Sequence, residues 1–306
     1  MGTASAVLNA EPRTARRAWP ASTHGFVRTL SQNRLNLCGA ALTVVLLVGA
    51  AIGPTFLADP FATTPADRFQ APSLAHWAGT DNLGRDQLAR ITLGLRLSIL
   101  VSLGAVALGL VVGVLLGLIS GYYGGVADNL IMRVLDVFFA FPGLLLALAM
   151  IAALGSSIPN LVLTMGVLFA PSMARVTRGP VLSIRQKEFV EAARALGVRE
   201  SVIVRTHILP NVVAPIIVAA TLQLSAAILI EASLGFLGLG INPPNPSLGG
   251  LINASRTFMG QGPWMAIFPG LAITLLIIGF NLVGDGLRDA VDPRLRDVLD
   301  SRTAIR

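Results

Sequence analysis

The chain has 306 residues, 54% of them hydrophobic and 13% charged, with a mean hydropathy of +0.72. That balance excludes an ordinary soluble globular domain and points to a polytopic membrane protein. The net charge of +7 reads as membrane orientation rather than nucleic-acid binding, because the basic residues lack clustered aromatics; a single cysteine, Cys38, and three scattered histidines, His24, His76 and His207, exclude a disulfide framework and give no metal-ligand spacing, so neither cofactor nor metal is expected.

Charged side chains are costly in hydrocarbon and about 20 apolar residues cross it, so gaps between charges mark the spans. Five gaps stand out: Leu35 to Ala58, Leu97 to Ala127, Val137 to Ala174, Thr206 to Ile230 and Thr257 to Gly284. The third runs 38 residues, too long for one crossing, and is broken by the turn formers Gly155-Ser156-Ser157-Ile158-Pro159-Asn160. The expectation is an all-α membrane protein of six transmembrane helices. Their cores are Leu37 to Leu57, Leu97 to Ser120, Val137 to Leu154, Leu161 to Thr177, Val212 to Ile230 and Ala266 to Gly284. The organisation that follows is a tail over 1–34, a first helix over 35–58, an external loop over 59–96, a five-helix core over 97–287 containing a cytoplasmic loop over 178–210, and a second tail over 288–306.

With the N-terminus inside, the inner segments carry eighteen Arg and Lys residues and the outer segments five, namely Arg68, Arg85, Arg90, Arg96 and Arg256. This positive-inside bias places both termini in the cytoplasm. The first span follows a polar, Arg-bearing segment and exceeds a signal-peptide core, so it reads as an uncleaved helix. On helix two, Gly109, Gly113, Gly117 and Gly121 recur every four residues and predict a close packing seam, its partner helix unspecified. Pro142 and Pro171 fall inside the third and fourth spans, where they predict bends or irregular segments.

The cytoplasmic loop is a charged island. Ser183 and Gln186 have capping-box spacing and predict a helix start, and Gly197 sits where a left-handed residue would end it. Phe189, Ala193 and Leu196 form an apolar stripe; a second short helix is expected over Glu200 to His207, running to Pro210. Ala192, Ala193 and Ala195 keep one face thin, while Arg194, Arg199 and Arg205 supply charge. Spacing alone leaves open a docking elbow for another protein or an amphipathic helix lying on lipid headgroups.

Glu191-Ala192-Ala193, Gly197 and Leu209-Pro210 resemble the cytoplasmic "EAA" motif of permease subunits in binding-protein-dependent ABC importers. Three further stretches resemble the C-type permease of the dipeptide, oligopeptide and nickel class: Gly79-Thr80-Asp81-Asn82-Leu83-Gly84-Arg85-Asp86, Phe236-Leu237-Gly238-Leu239-Gly240 with Pro243-Pro244 and Pro246-Ser247, and Gly284-Asp285-Gly286-Leu287-Arg288-Asp289 with Asp292-Pro293-Arg294. The similarity runs from about Leu30 to Arg296. It departs from the family at Leu248, where Trp is frequent, and at His207, where the general motif has an aliphatic residue. The resemblance implies the type I ABC-importer permease architecture in the bacterial inner membrane. It also implies partners: a homologous B-type permease, two ATP-binding subunits, an external solute-binding protein and a peptide substrate.

Under that resemblance Glu191, Ala192, Ala193, Arg194, Gly197, Leu209 and Pro210 are the candidates for coupling to the ATPases. The chain has no G-x-x-x-x-G-K-[ST] run, and its single lysine, Lys187, has no glycine loop before it, so hydrolysis is expected on other subunits and no catalytic residue here. Gln223, Glu231 and Asn281 are candidate pathway groups, with Asp136 and Asp285 at inner span ends. Asp136, Asp285 and Glu231, the last at the outer end of its span, read rather as interfacial anchors or helix–helix hydrogen bonds, whereas for Gln223, the best deep candidate, both readings stay open. Asp81, Arg85, Asp86, Pro243 and Pro244 are candidates for contact with the external binding protein; the acids of 80–86 lack the alternation of a calcium loop. A stand-alone carrier would instead carry inverted repeats or several buried ionisable groups.

Overall fold

The computed structural model describes residues 34–291, and among these every regular element is helical. In chain order they are α1 (Arg34–Phe56), α2 (Gln87–Tyr123), α3 (Gly125–Phe139), α4 (Gly143–Leu154), α5 (Ile158–Ile184), α6 (Glu188–Ala195), α7 (Glu200–Ile203), α8 (Leu209–Phe236), α9 (Leu248–Ser255) and α10 (Trp264–Val291). Of the tails expected over 1–34 and 288–306, residues 1–33 and 292–306 lie outside the described residues. Five runs are long and apolar enough to cross a membrane: α1, α2, α5, α7 continuing through α8, and α10. Among the described residues α3 and α4, bent by 88° at their junction, are long and apolar enough only when taken together, and counted as one broken span they bring the number to six.

The bend changes the third span. The expected helix from Val137 to Leu154 is two helices, and Pro142 lies in the break as the residue preceding α4 rather than inside a span. Pro142 cannot donate a backbone hydrogen bond and disfavours helical geometry at Phe141, so the chain turns there. α3 runs back beside the ends of α2 and α5, held by Asp128, which accepts from Arg178 Nε at 2.6 Å and Nη2 at 2.6 Å and from the Ser120 hydroxyl. Asp136 pairs with Arg175, whose guanidinium stands 3.7 Å over the Phe139 ring. Pro171 does lie inside a helix, buried within α5.

The helix ends follow local chemistry. Asp86 caps α2 by accepting from Ala89 N at 2.9 Å, so the helix starts ten residues before the charge-free stretch and carries Arg90 and Arg96 in its first turns. Gly124 and Gly125, at φ +67 and +55, end α2 and turn the chain into α3. Ser157 caps α5, with Pro159 in its first turn, where a missing N–H costs nothing.

α2 packs along α5 through the expected glycine seam. A Cβ at Gly113 would lie 2.4 Å from Met173 Cβ, one at Gly117 2.5 Å from the Ala174 carbonyl oxygen, and those at Gly109 and Gly121 2.8 Å from Phe169 Cβ and Val181 Cβ. Lipid is as apolar as leucine, so close van der Waals packing rather than water exclusion holds such a pair. α1 packs in the same way on α10: a Cβ at Gly39 would fall 2.2 Å from Leu282 Cβ, one at Gly279 2.6 Å from Thr43 Oγ1, and the buried Asn36 amide donates to Asp289 at 3.5 Å. The opposite flank of α1, with Val44, Val45, Val48 and Ile52, is exposed, as suits a hydrocarbon-facing surface.

Replacing Gly113 with alanine is expected to destabilise the bundle by about 1–3 kcal/mol through overpacking. Gly49→Ala on α1, where the added methyl meets nothing within 4 Å, is the matched control. Thermal unfolding in detergent checks the difference: equal midpoints for the two variants would remove the seam from the account.

Candidate functional site

At the end of the bundle where α2 and α5 finish, the chain leaves α5, makes the short helices α6 and α7, and re-enters the bundle as α8. This is an elbow, but its first helix starts later than the capping spacing implied. Ser183 is still within α5, and α6 begins after Lys187. Glu188 and Glu191 then lie in the first turn of α6 and Arg194 in the last, the charge order that a helix dipole favours.

Gly197 ends α6 at φ +73. The Val198 N–H donates to the Ala193 carbonyl at 3.1 Å and the Gly197 N–H to that of Arg194 at 2.9 Å, the paired bonds of a glycine-terminated helix. α7 does not stop before the next span. Its last turn widens over Val204–Ile208, with the Leu209 N–H bonded to the Val204 carbonyl, and continues into α8. The wide turn accommodates Pro210, which cannot complete an ordinary helical bond, and the Asn211 amide satisfies the His207 carbonyl at 2.6 Å.

The elbow is anchored by its own small core. Val190, Ile203, Ile208 and Val212 are fully buried, joined by Ala193, Ile216, Val181 of α5 and Tyr122 of α2, with Leu209 packed against them. Each fully buried branched side chain contributes about 1.5–3 kcal/mol. The inward stripe is therefore Val190 and Ala193. Phe189 and Leu196, expected to share it with Ala193, turn outward instead: Leu196 is 84% exposed, and Phe189 lies against the His207 ring with centroids 6.0 Å apart. Glu191, Ala192 and Ala195 share this exposed face. Arg194 sits 5.1 Å over the Tyr122 ring and 3.9 Å from Glu200.

The candidate pathway groups are not gathered in one place. Gln223 on α8 donates weakly to the Phe169 carbonyl of α5 at 3.4 Å and leaves its own oxygen buried without a partner. Asn281 lies half-buried on α10. Glu231 is fully buried between helices, with the Ser98 hydroxyl of α2 beside it and neither carboxyl oxygen in a formed hydrogen bond. It does not face an open route as a span-end acid would.

At the opposite end of the bundle, the segment over 79–86 is organised from within. Asp81 is 3% exposed and accepts from Leu83 N, Arg85 N and Arg85 Nε at 2.8, 3.0 and 2.7 Å, with Arg90 Nε at 3.7 Å. Asp86 accepts from Ala89 N and lies 2.9 Å from His76 Nδ1. The Trp264 indole donates to the Thr80 carbonyl at 3.0 Å, tying the segment to the start of α10. These carboxylates are occupied by the fold, whereas Leu74, Trp77, Leu83, Pro243 and Pro244 are exposed at this end. The sequence reading missed Arg178 and Tyr122 as organising residues; their signals, an arginine in the last turns of a span and an aromatic before a Gly-Gly pair, are too common to single out.

Comparison with known proteins agrees with this geometry. Residues 113–297 match the family described as binding-protein-dependent transport system inner membrane component. The chain is 44% identical over 270 residues to the dipeptide transport system permease protein DppC of Alkalihalophilus pseudofirmus, covering 88% of this chain and 89% of that protein. It is 44% identical over 260 residues to the glutathione transport system permease protein GsiD of Pectobacterium atrosepticum, covering 84% and 86%, and 43% identical over 298 residues to GsiD of Shigella boydii, covering 95% and 97%. In fold it is similar to chains of the inward-facing MetNI methionine ABC transporter, at TM-scores of 0.53 and 0.54, with 22% and 23% identity, 65% and 66% of this chain and 94% and 96% of those chains covered. This helical bundle with its elbow, matched in sequence to transport permeases along most of its length, belongs to the inner membrane components of binding-protein-dependent transport systems.

Proposed function

We propose that this chain is the C-type permease subunit of an ATP-driven peptide importer, forming the translocation path with a homologous B-type subunit. The elbow carries this reading: a short helix held from behind by a buried apolar core presents Phe189, Glu191 and Leu196 outward, in a chain with no phosphate-binding loop of its own. An energy source on another subunit needs such a surface. Closure of two ATP-binding subunits on nucleotide would push α6, and the bundle would respond as a rigid body alternating between two openings. The eighteen-to-five distribution of basic residues supports placing the elbow and both termini in the cytoplasm and the end bearing Leu83 and Pro243-Pro244 outside, facing a solute-binding protein.

Gln223 and Asn281, each only partly buried, remain the proposed route-lining groups, whereas the enclosure of Glu231 favours a role in joining α8 to α2. The curated relatives named for dipeptide and glutathione transport favour short peptides as cargo. Uptake of labelled di- and tripeptides, glutathione and nickel by cells carrying the whole system tests this; nickel uptake without peptide uptake would overturn the peptide assignment.

Replacing Glu191 and Gly197 together with alanine is expected to lower peptide uptake per ATP hydrolysed at least about tenfold while the subunits still co-purify, because the exposed carboxylate and the left-handed helix end are both lost. Unchanged transport by this double variant would sink the coupling role. Gly197→Asn, which keeps the left-handed conformation accessible, is expected to transport far better than Gly197→Val, and a side-by-side uptake assay checks the order.

A further inference from the structure

Beyond its own chain path, the elbow is tied to the bundle at the end of α2. Arg185, the residue after α5, turns its side chain back so that Nη1 donates to the carbonyls of Gly121 at 3.1 Å and Tyr122 at 2.9 Å. These belong to the last turn of α2, where helix carbonyls have no partner along the helix. The approach depends on Gly124: at φ +67 a Cβ there would stand 2.7 Å from Arg185 Nη1. The Tyr122 side chain is held from the other side. Its ring is 3% exposed within the elbow core, under the Arg194 guanidinium of α6. One arginine before α6 and one within it therefore grip the same residue of α2, the first by its backbone and the second by its ring.

This grip decides where a displacement of α6 goes. The elbow cannot slide over the end of α2 without breaking the Arg185 bonds and opening the core around Tyr122, and α2 is itself packed closely against α5 along the glycine seam. We propose that Arg185, Gly124 and Tyr122 form a latch that makes α6, α2 and α5 move as one body, so that a push on the elbow reaches the bundle through α2 as well as through the chain into α8. Arg185 is then a positioning residue for coupling, and the inference rests on the coupling role proposed above.

The test uses the whole importer in proteoliposomes with its binding protein, reading ATP hydrolysis and peptide uptake together. Arg185→Met is expected to leave an assembled complex that hydrolyses ATP but imports at least about fivefold fewer peptides per ATP, the lower range of coupling energies. Arg185→Lys, whose ammonium can donate to the same carbonyls, is expected to restore most of that ratio. Gly124→Ala, which displaces the guanidinium without removing it, is expected to match Arg185→Met. A merely structural cap would lower the melting temperature and leave the ratio at the wild-type value; that result in Arg185→Met, or in Gly124→Ala should Arg185→Met fail to assemble, overturns the latch. If the Glu191 and Gly197 double variant uncouples while these do not, only the latch falls. If the double variant also stays coupled, the coupling role of the elbow falls with it.

Discussion

The close approach of α2 to α5 is the constraint on which the other contacts depend. Four glycines a turn apart let backbone meet backbone, and the facing positions Phe169, Met173, Ala174 and Val181 fill the space that side chains would otherwise occupy. No water is released when such helices meet in lipid, so the contact relies on many small dispersion gains that fall off steeply with separation. The pair carries elements at both ends. α4 folds back on α5 through Ala147 and Ile151, α8 seats Ala227 and Leu234 against the same cluster, and the end of α2 delivers Tyr122 to the elbow.

Charge sets much of what the helices can do in this setting. The ionisable groups that the bundle encloses are either committed to a neighbour, as Asp81 is to Arg85 and Asp128 to Arg178, or placed where only a hydroxyl stands nearby, as Glu231 is beside Ser98. The first kind stiffens a loop or a helix junction. The second lies buried between two helices at a position where an uncompensated charge would be costly.

Much of the bundle is legible in the sequence because hydrocarbon punishes charge, and the long gaps between arginines fall on α1, α2, α5, α8 and α10. The same rule hides α3, since Asp128, Arg133 and Asp136 make it look like a loop, although its two carboxylates are paired sideways with Arg178 and Arg175. The glycine repeat announces a seam but not its partner, because the opposing residues on α5, Phe169, Met173, Thr177 and Val181, share its spacing but not its small side chains. In the elbow, Gly197 was readable since a left-handed helix end has few other solutions. The apolar stripe was misphased: on a helix of eight residues, Phe189–Ala193–Leu196 and Val190–Ala193 differ by about one residue, or 100° of rotation, and only tertiary burial separates them. The Glu191-Ala192-Ala193 motif is legible by family likeness, whereas the grip of Arg185 on α2 is written in three dimensions alone.

The seat of α1 has a consequence for biogenesis. One wall of it is α2, met where Gly53 lies against Thr92, and the other is α10, met at Gly39, Thr43 and Asn36. Synthesis runs from the N-terminus, so α1 is made before either wall, and α10 is made after α2 and every described helix between them. Through the insertion of every helix between them, the small-residue flank of α1 and the Asn36 amide must wait in lipid or on a temporary partner. Completion of α10 is what closes the seat of α1, and a ribosome stalled before Gly279 would leave the small-residue flank around Gly39 and Thr43 uncovered.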